Sequence, residues 1–509
     1  MPTVNKNRFI PIVLILDIII MIIIYQKTTQ RQDFLLAGLS VQIILGFVVF
    51  IWFLFFSGFP KKLRLMGLGA VVLLGLLASV SLKIDDYSGD MIPIPVWRWK
   101  PKADEVLDRE IKTAEARAEE KIRYAFPGFL GPNGDGRVLD LKLARNWEET
   151  PPKERWRQKI GAGWSGASAT EDVVVTQEQR ANDEMVTCYS LKDGSLIWSH
   201  SDQSRFTSSL GGDGPRSTPA LAGGMVYTMG ALGLINCLNL TTGEPVWSVD
   251  TVKKYGAVSP AWGFSCSPLV LDDKVIISIG GSKNRSLIAL DPMTGAYLWG
   301  GGSDTVGYSS PHLHTLAGVP QIVILNGNTV AGHNPDNGAL LWEQPWGQGK
   351  PNVANPLGLA GDRLLVSSGY GVGAKLFSFT AEGEELKVTE TYESRRLKAK
   401  FSNFVQYNGA VYGLDDGVLT CINPDDGERL WKGGRYGHGQ MLLVGDLLLV
   451  QGESGELNLI EPNPEEHREL GQISVLGNKS WNNMALSGNL LIMRNHKEIV
   501  CLELPTMTH

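Results

Sequence analysis

CINPDDGERLW, residues 421–431, sets a small residue, then a polar turn ending in glycine, then a tryptophan four residues beyond that glycine. The frame recurs as CYSLKDGSLIW (188–198), CLNLTTGEPVW (237–247), ALDPMTGAYLW (289–299) and GHNPDNGALLW (332–342). Asn, Asp, Pro and Gly at the centre of each copy supply a tight turn, so each reads as a hairpin between two strands. Where the pattern is clean, successive tryptophans lie 42 to 52 residues apart, the period of a four-stranded propeller blade.

That period counts the blades. From Trp342 to Trp431 is 89 residues, room for one degenerate repeat, and KLFSFTAEGEELKV supplies it with Lys387 or Val388 in the tryptophan position. After Trp431 there is space for one whole blade and three strands ending in EIVCLEL. The missing fourth strand stands upstream: ERWRQKI places Trp156 42 residues before Trp198, with no blade of its own in front of it. Pairing it with the C-terminal strands removes the exposed edges of an open ring. The expected fold is all-β, an eight-bladed β-propeller closed by N-/C-terminal strand exchange. Trp156, Trp198, Trp247, Trp299, Trp342 and Trp431 are its structural repeat tryptophans.

Three apolar segments precede the propeller, at 9–25, 35–57 and 65–82, each about long enough to span hydrocarbon. Lys6 and Arg8 before the first span and Lys61, Lys62 and Arg64 after the second outnumber Lys27 and Arg31 in the first loop. This places the N-terminus inside and the propeller on the extracytoplasmic side of a bacterial inner membrane. Asp17 within the first span requires a polar partner or a shallow helix. The expected organisation is a three-helix membrane anchor over 1–82, an interfacial exit and helical spacer over 83–124, and the propeller over 125–509. In the spacer, Leu107, Ile111, Ala114 and Ala118 form one narrow apolar stripe.

A net charge of −6 points to no nucleic-acid partner. Cys188, Cys237, Cys421 and Cys501 occupy the small-residue slot of the repeat and Cys266 opens an inner strand, so all five cysteines read as buried free thiols. No CxxC or His-rich metal spacing is present, and His312, His314 and His333 read as structural or surface residues. The links between blades carry the distinctive charge: LGGDGPRSTP, YGAVSPAWGFSCSP, VGYSSPHLH, SRRLKAKFSN, GGRYGHGQ and GNKSWNN. They should gather Arg216, Arg395, Arg396, Lys398, Lys400, Arg435 and His438 on one rim, among Trp262, Tyr308, Tyr436 and Trp481. Gln177, Glu178 and Arg180 join if their hairpin faces the same way. Cations and aromatics around one mouth make a candidate anion site, and solvated loop charges are the plainer account.

The L-x-C/A-L-D/N-x-x-T/D-G-x-x-x-W pattern resembles the pyrroloquinoline quinone (PQQ)-like propeller repeat, over about residues 125–509. FPGFLGPNGDGRV ahead of the blades resembles the start of large bacterial membrane-anchored members. The resemblance covers quinoprotein alcohol dehydrogenases and the non-enzymatic propeller lipoprotein of the outer-membrane β-barrel assembly machine. It implies for the enzymes a disulfide between adjacent cysteines, a metal held by Glu, Asn and Asp, and an Asp base. This chain has no Cys-Cys dipeptide, and Asp415 and Asp416 fall in a hairpin turn. The N-terminal lipid-anchoring cysteine of the assembly lipoprotein is missing here too. The expectation is a membrane-anchored scaffold binding a protein, a peptide or a small anion without turnover, with no metal and no cofactor. The alternative is a quinoprotein-type oxidoreductase holding PQQ with a divalent or lanthanide metal in the funnel.

Overall fold

The computed structural model describes residues 9–28, 30–107, 112, 122–281, 283–347, 349–383 and 385–507, in two compact units, Met1–Lys102 and Ala103–His509. In the first unit, helices α1 (Phe9–Lys27), α2 (Arg31–Phe55) and α3 (Lys61–Ser81) are each long and apolar enough to cross a membrane. Asp17 finds its partner within this unit: Gln42 Nε2 on α2 donates to Asp17 Oδ1 at 2.7 Å. The exit after α3 is a hairpin of β1 (Leu82–Tyr87) and β2 (Pro93–Trp97). Just past it the rings of Trp97 and Trp99 stack at 5.1 Å and stand exposed. Of the expected helical spacer, one turn is described, α4 (Ala103–Val106). Ile111, Ala114 and Ala118 lie outside the described residues.

The second unit is an eight-bladed propeller. Blades 1 to 7 span 167–202, 220–250, 269–301, 312–345, 357–394, 405–435 and 440–474. Blade 8 takes three strands from 485–503 and its outermost strand from Lys153–Lys159, with Cys501 opposite Trp156, as the strand exchange requires. Each repeat tryptophan faces its small residue across the outer hairpin: Cys188 opposite Trp198, Cys237 opposite Trp247, Cys421 opposite Trp431. A tryptophan ring fits only because that neighbour is small. All five cysteines are free and buried, and Cys266 lies in the link just before the inner strand Leu269–Leu271 rather than within it.

The ring then crosses to the next blade. A Cβ on Gly194 would lie 2.6 Å from Trp156 Cδ2, and one on Gly295 2.8 Å from Trp247 Cδ2, so a bare glycine is what lets the indole lie flat. Both glycines also have positive φ, +71° and +65°. The indole N–H donates to a carbonyl of the neighbouring turn: Trp156 to Leu191, Trp198 to Leu240, Trp247 to Pro292 and Trp431 to Asn463, at 2.7–2.9 Å.

Two blades depart from the frame. In blade 5 the tryptophan position is held by Tyr392, which pairs with Leu376 and packs on Gly427 of blade 6, not by Lys387 or Val388. Its outer strands, Gly373–Glu382 and Glu385–Ser394, are ten residues each, so the small-residue-to-ring spacing stretches beyond the repeat. In blade 7 the position is Gly471, and Trp147 from outside the blade fills the space; a Cβ on Gly471 would lie 2.9 Å from Trp147 Cβ.

Trp147 ends a strap that crosses the hub. Tyr124–Phe126 pairs antiparallel with the innermost strand of blade 1, and Arg137–Val138 pairs parallel with that of blade 7. Between them Pro127 O accepts from Leu221 N of blade 2 at 2.7 Å. The FPGFLGPNGDGRV segment is therefore part of the propeller. The strap's contacts with Gly224, through Tyr124 Oη, and with Gly445, through Val138 O, lie at the first turns of their blades, the end of the channel opposite the inter-blade links.

Trp198→Ala and Trp156→Ala should each cost about 3–5 kcal/mol, lowering the thermal unfolding midpoint of the propeller. A surface variant such as Lys253→Ala should leave it unchanged. A midpoint unmoved by Trp198→Ala would refute the staple.

Candidate functional site

The links meet around the axis through a ladder of side chains. Thr218 N donates to Ser267 Oγ, Ser267 N to Ser310 Oγ, Ser310 N to Asn355 Oδ1 and Asn355 N to Asn403 Oδ1, at 2.7–2.9 Å. Its sequence signal is the recurring triplet STP, CSP, SSP and ANP at the end of successive links. Proline after each rung fixes an extended entry into the inner strand.

Above the ladder the link-side mouth is filled by rings in contact. Trp262 lies 5.2 Å from Tyr308, 6.4 Å from Tyr370 and 6.2 Å from Phe401, centroid to centroid. Phe401 lies 4.8 Å from Trp481, and Trp481 5.0 Å from Trp164. Lys400 Nζ sits 4.7 Å from the Tyr370 ring, and Lys479 Nζ 3.9 Å from Trp481, placing two buried ammonium groups on ring faces. Glu453 accepts from Trp481 Nε1 at 3.1 Å and from His438 N at 3.0 Å. Of the residues expected at the rim, Trp262, Tyr308, Lys400, His438 and Trp481 thus converge. Sequence reading missed Trp164, Tyr370, Phe401 and Lys479, although Phe401 follows Lys400 in the same link.

The other cations separate. Arg180 is buried against Glu178 Oε1 at 2.9 Å and Tyr189 Oη at 3.2 Å. Burial works against its charge, but Glu178 outweighs burial and raises the guanidinium pKa. Gln177 Nε2 is committed to Ser217 O at 2.7 Å. Arg216 donates to the carbonyls of Gly211 and Gly212 at 2.7 Å each and lies over the Phe206 ring at 4.5 Å, and burial pushes it down to about 10. These arginines organise loops. Tyr436 is buried beside His467 Nε2 at 2.9 Å and donates to Glu469 Oε2 at 2.6 Å. Arg395 and Arg435 are exposed, Arg396 is half-exposed near Glu428, and Lys398 bonds Asp415 at 2.5 Å. His333 is buried, its Nδ1 3.1 Å from Gly338 O, while His312 and His314 touch at 4.6 Å.

On the strap side a cleft of about 340 Å³ opens between residues 127–134 and the inner strands of blades 2 to 4. Among the described residues, no group of three or more His, Cys, Asp or Glu side chains is placed to hold a metal ion.

The sequence pattern described as outer membrane protein assembly factor BamB matches residues 182–433 and 326–502. The chain belongs to this PQQ-like propeller family. Its fold is similar to BamB from Moraxella catarrhalis at 15% identity, covering 69% of this chain and 100% of that one, with a TM-score of 0.52. It is also similar to quinohemoprotein alcohol dehydrogenase from Comamonas testosteroni at 13% identity, covering 75% and 81%, with a TM-score of 0.55. A third likeness is quinohemoprotein alcohol dehydrogenase ADHIIG from Pseudomonas putida HK5, at 13% identity, 70% and 77% coverage and a TM-score of 0.51. At these identities the likeness is one of fold. No curated protein sequence matches the chain.

The lysines seated on the mouth's rings and the lack of a Cys-Cys dipeptide distinguish this mouth from the quinone site that the resemblance implies for the enzymes.

Glu184 near this mouth offers a pH handle. It is buried, accepts from Ala231 N at 2.9 Å, and burial pushes it up to about 7. The folded state therefore holds a proton that the unfolded chain releases at lower pH. Its stabilising contribution is complete below the unfolded carboxylate range and is lost as pH rises toward 7. The wild type should melt a few degrees higher at pH 5 than at pH 8, and Glu184→Gln should flatten that difference. An unchanged pH profile in Glu184→Gln would remove Glu184 as its cause.

Proposed function

We propose that this chain is a non-catalytic scaffold, anchored by α1, α2 and α3 in a bacterial inner membrane with its propeller on the extracytoplasmic side. Its link face binds a protein or peptide partner, or a small anion. The observation that carries the reading is the hub itself. The strap occupies one end of the channel and interlocked rings occupy the other, leaving an aromatic surface with two lysines seated on its rings. Tryptophan, tyrosine and arginine are the residues that anchor protein interfaces. The family's description as an assembly factor supports the same direction, and the lysine and arginine excess before α1 and after α2 supports the orientation.

Two measurements test this. Purified full-length protein titrated with the quinone plus calcium or a lanthanide should show neither saturable binding nor dye reduction by alcohols or sugars. Substrate-dependent dye reduction would overturn the scaffold reading. For topology, alkaline phosphatase fused at the C-terminus should be active and a fluorescent protein there dark; the reverse pattern would place the propeller in the cytoplasm.

A further inference from the structure

Six cations gather where the link from blade 5 to blade 6 meets the outer strand of blade 6. Arg395, Arg396 and Lys398 come from the link, and Arg429, Lys432 and Arg435 from the strand Arg429–Arg435. What ties them together is a carboxylate at the turn of the inner hairpin. Asp415 has 0% exposure and receives Lys398 Nζ at 2.5 Å, Arg429 Nη2 at 3.0 Å and Lys432 Nζ. Asp416 beside it meets Lys398 at 3.2 Å, and its carbonyl accepts from Arg435 Nη1 at 3.4 Å. Arg429 also reaches the Arg396 carbonyl at 3.5 Å. The cluster is thus one contiguous surface, built from two neighbouring blades.

Among the described residues, the carboxylates paired within the cluster are Asp415, Asp416 and Glu428, and Asp415 is shared by three of the cations; Arg435 has a contact of its own besides the Asp416 carbonyl. Asp415 is too deep to be reached and serves to aim the three cations around it. Lys432 responds to the crowding: burial and the repulsion of Lys398 and Arg429 lower its pKa despite the bond to Asp415. Arg429 Nε is buried with no hydrogen-bond partner.

We propose that this face is the docking surface for an acidic segment of a partner protein, a reading that rests on the scaffold function above and gives it a place and a partner chemistry. The shape favours a chain segment over a flat lipid surface. Lys398, Arg429 and Lys432 are recessed, at 13%, 28% and 27% side-chain exposure, and the exposed Arg395, Arg396 and Arg435 flank them. A carboxylate on a flexible segment can reach into such a recess, whereas a planar membrane meets only the flanking arginines. Each exposed guanidinium offers the fork that pairs a carboxylate through two hydrogen bonds. Because Asp415 already holds the inner cations in place, their ordering cost is met before the partner arrives.

The test uses full-length protein in nanodiscs of zwitterionic lipid and a fluorescein-labelled peptide alternating Glu and Ser, read by anisotropy. Saturable binding that weakens with salt is expected, and R395A/R396A/R435A together should weaken it at least about tenfold with an unchanged melting temperature, because all three side chains face solvent. Lys253→Ala, on the link of another blade, should bind as wild type. No peptide binding by the wild type, or equal binding by the triple variant, overturns the proposal. So does displacement by inorganic phosphate at concentrations equal to the peptide's, which would make the patch a simple oxyanion site. Anionic nanodiscs that suppress peptide binding only while the three arginines are present would assign the patch to the membrane and also overturn it. Dye reduction by the quinone-loaded protein sinks the scaffold reading itself, whereas loss of the patch result without dye reduction leaves that reading standing.

Discussion

A tryptophan lying flat on the glycine of the next blade is the contact on which this propeller depends. Each blade is a twisted sheet with little reason of its own to stop at a particular angle from its neighbour. The indole supplies that reason, since its plane needs a bare glycine beneath it and its N–H needs one carbonyl beside that glycine. Trp156, Trp198 and Trp247 meet both requirements. Trp299 keeps the glycine, Gly338, whereas Trp342 donates to Gln321 of its own blade and Trp431 packs on His467. The contact thus sets the angle at several seams and other packing sets the rest. The small residue opposite each tryptophan follows from the same demand. Cysteine there is a packing choice, and desolvation that pushes Cys501 up to about 12 leaves no reactive thiolate.

Much of this was legible in sequence because the staple needs specific residues at a fixed spacing. Five clean frames and Trp156 were enough to infer the blade count and the exchanged strand. The position that sequence misread, in blade 5, and the one it left unassigned, in blade 7, are those where another residue does the tryptophan's work. Tyr392 reaches Gly427 from a longer hairpin, which changes the spacing a repeat search relies on. Trp147 serves blade 7 from outside it, a contact that no local pattern encodes. The strap had a visible signature in its glycines, but a segment without period cannot announce which strands it will meet.

The site was legible in kind and not in arrangement. Sequence placed the cations and aromatics in the links, yet charge alone does not say how deep a side chain lies. Arg216 and Arg180 sit where loop carbonyls or a buried carboxylate consume their donors, while Arg395 and Arg435 remain at the surface. Depth is set by the fold of each link and by buried carboxylates such as Glu178 and Glu184. Asp415 shows the same limit from the other side. Its position in a hairpin turn explained its presence, and only the packing of blade 6 reveals that it gathers cations from both the link and the outer strand.

The strap bears on how the propeller stays closed. The exchanged strand Lys153–Lys159 is the piece whose loss would open the ring. Before that strand the chain is fastened in turn to blades 1, 2 and 7, and then by Trp147 against Gly471. Arg145 adds ion pairs to Asp446 and Glu461 of blade 7. The closing strand is thus preceded by a segment already paired and packed against three other blades.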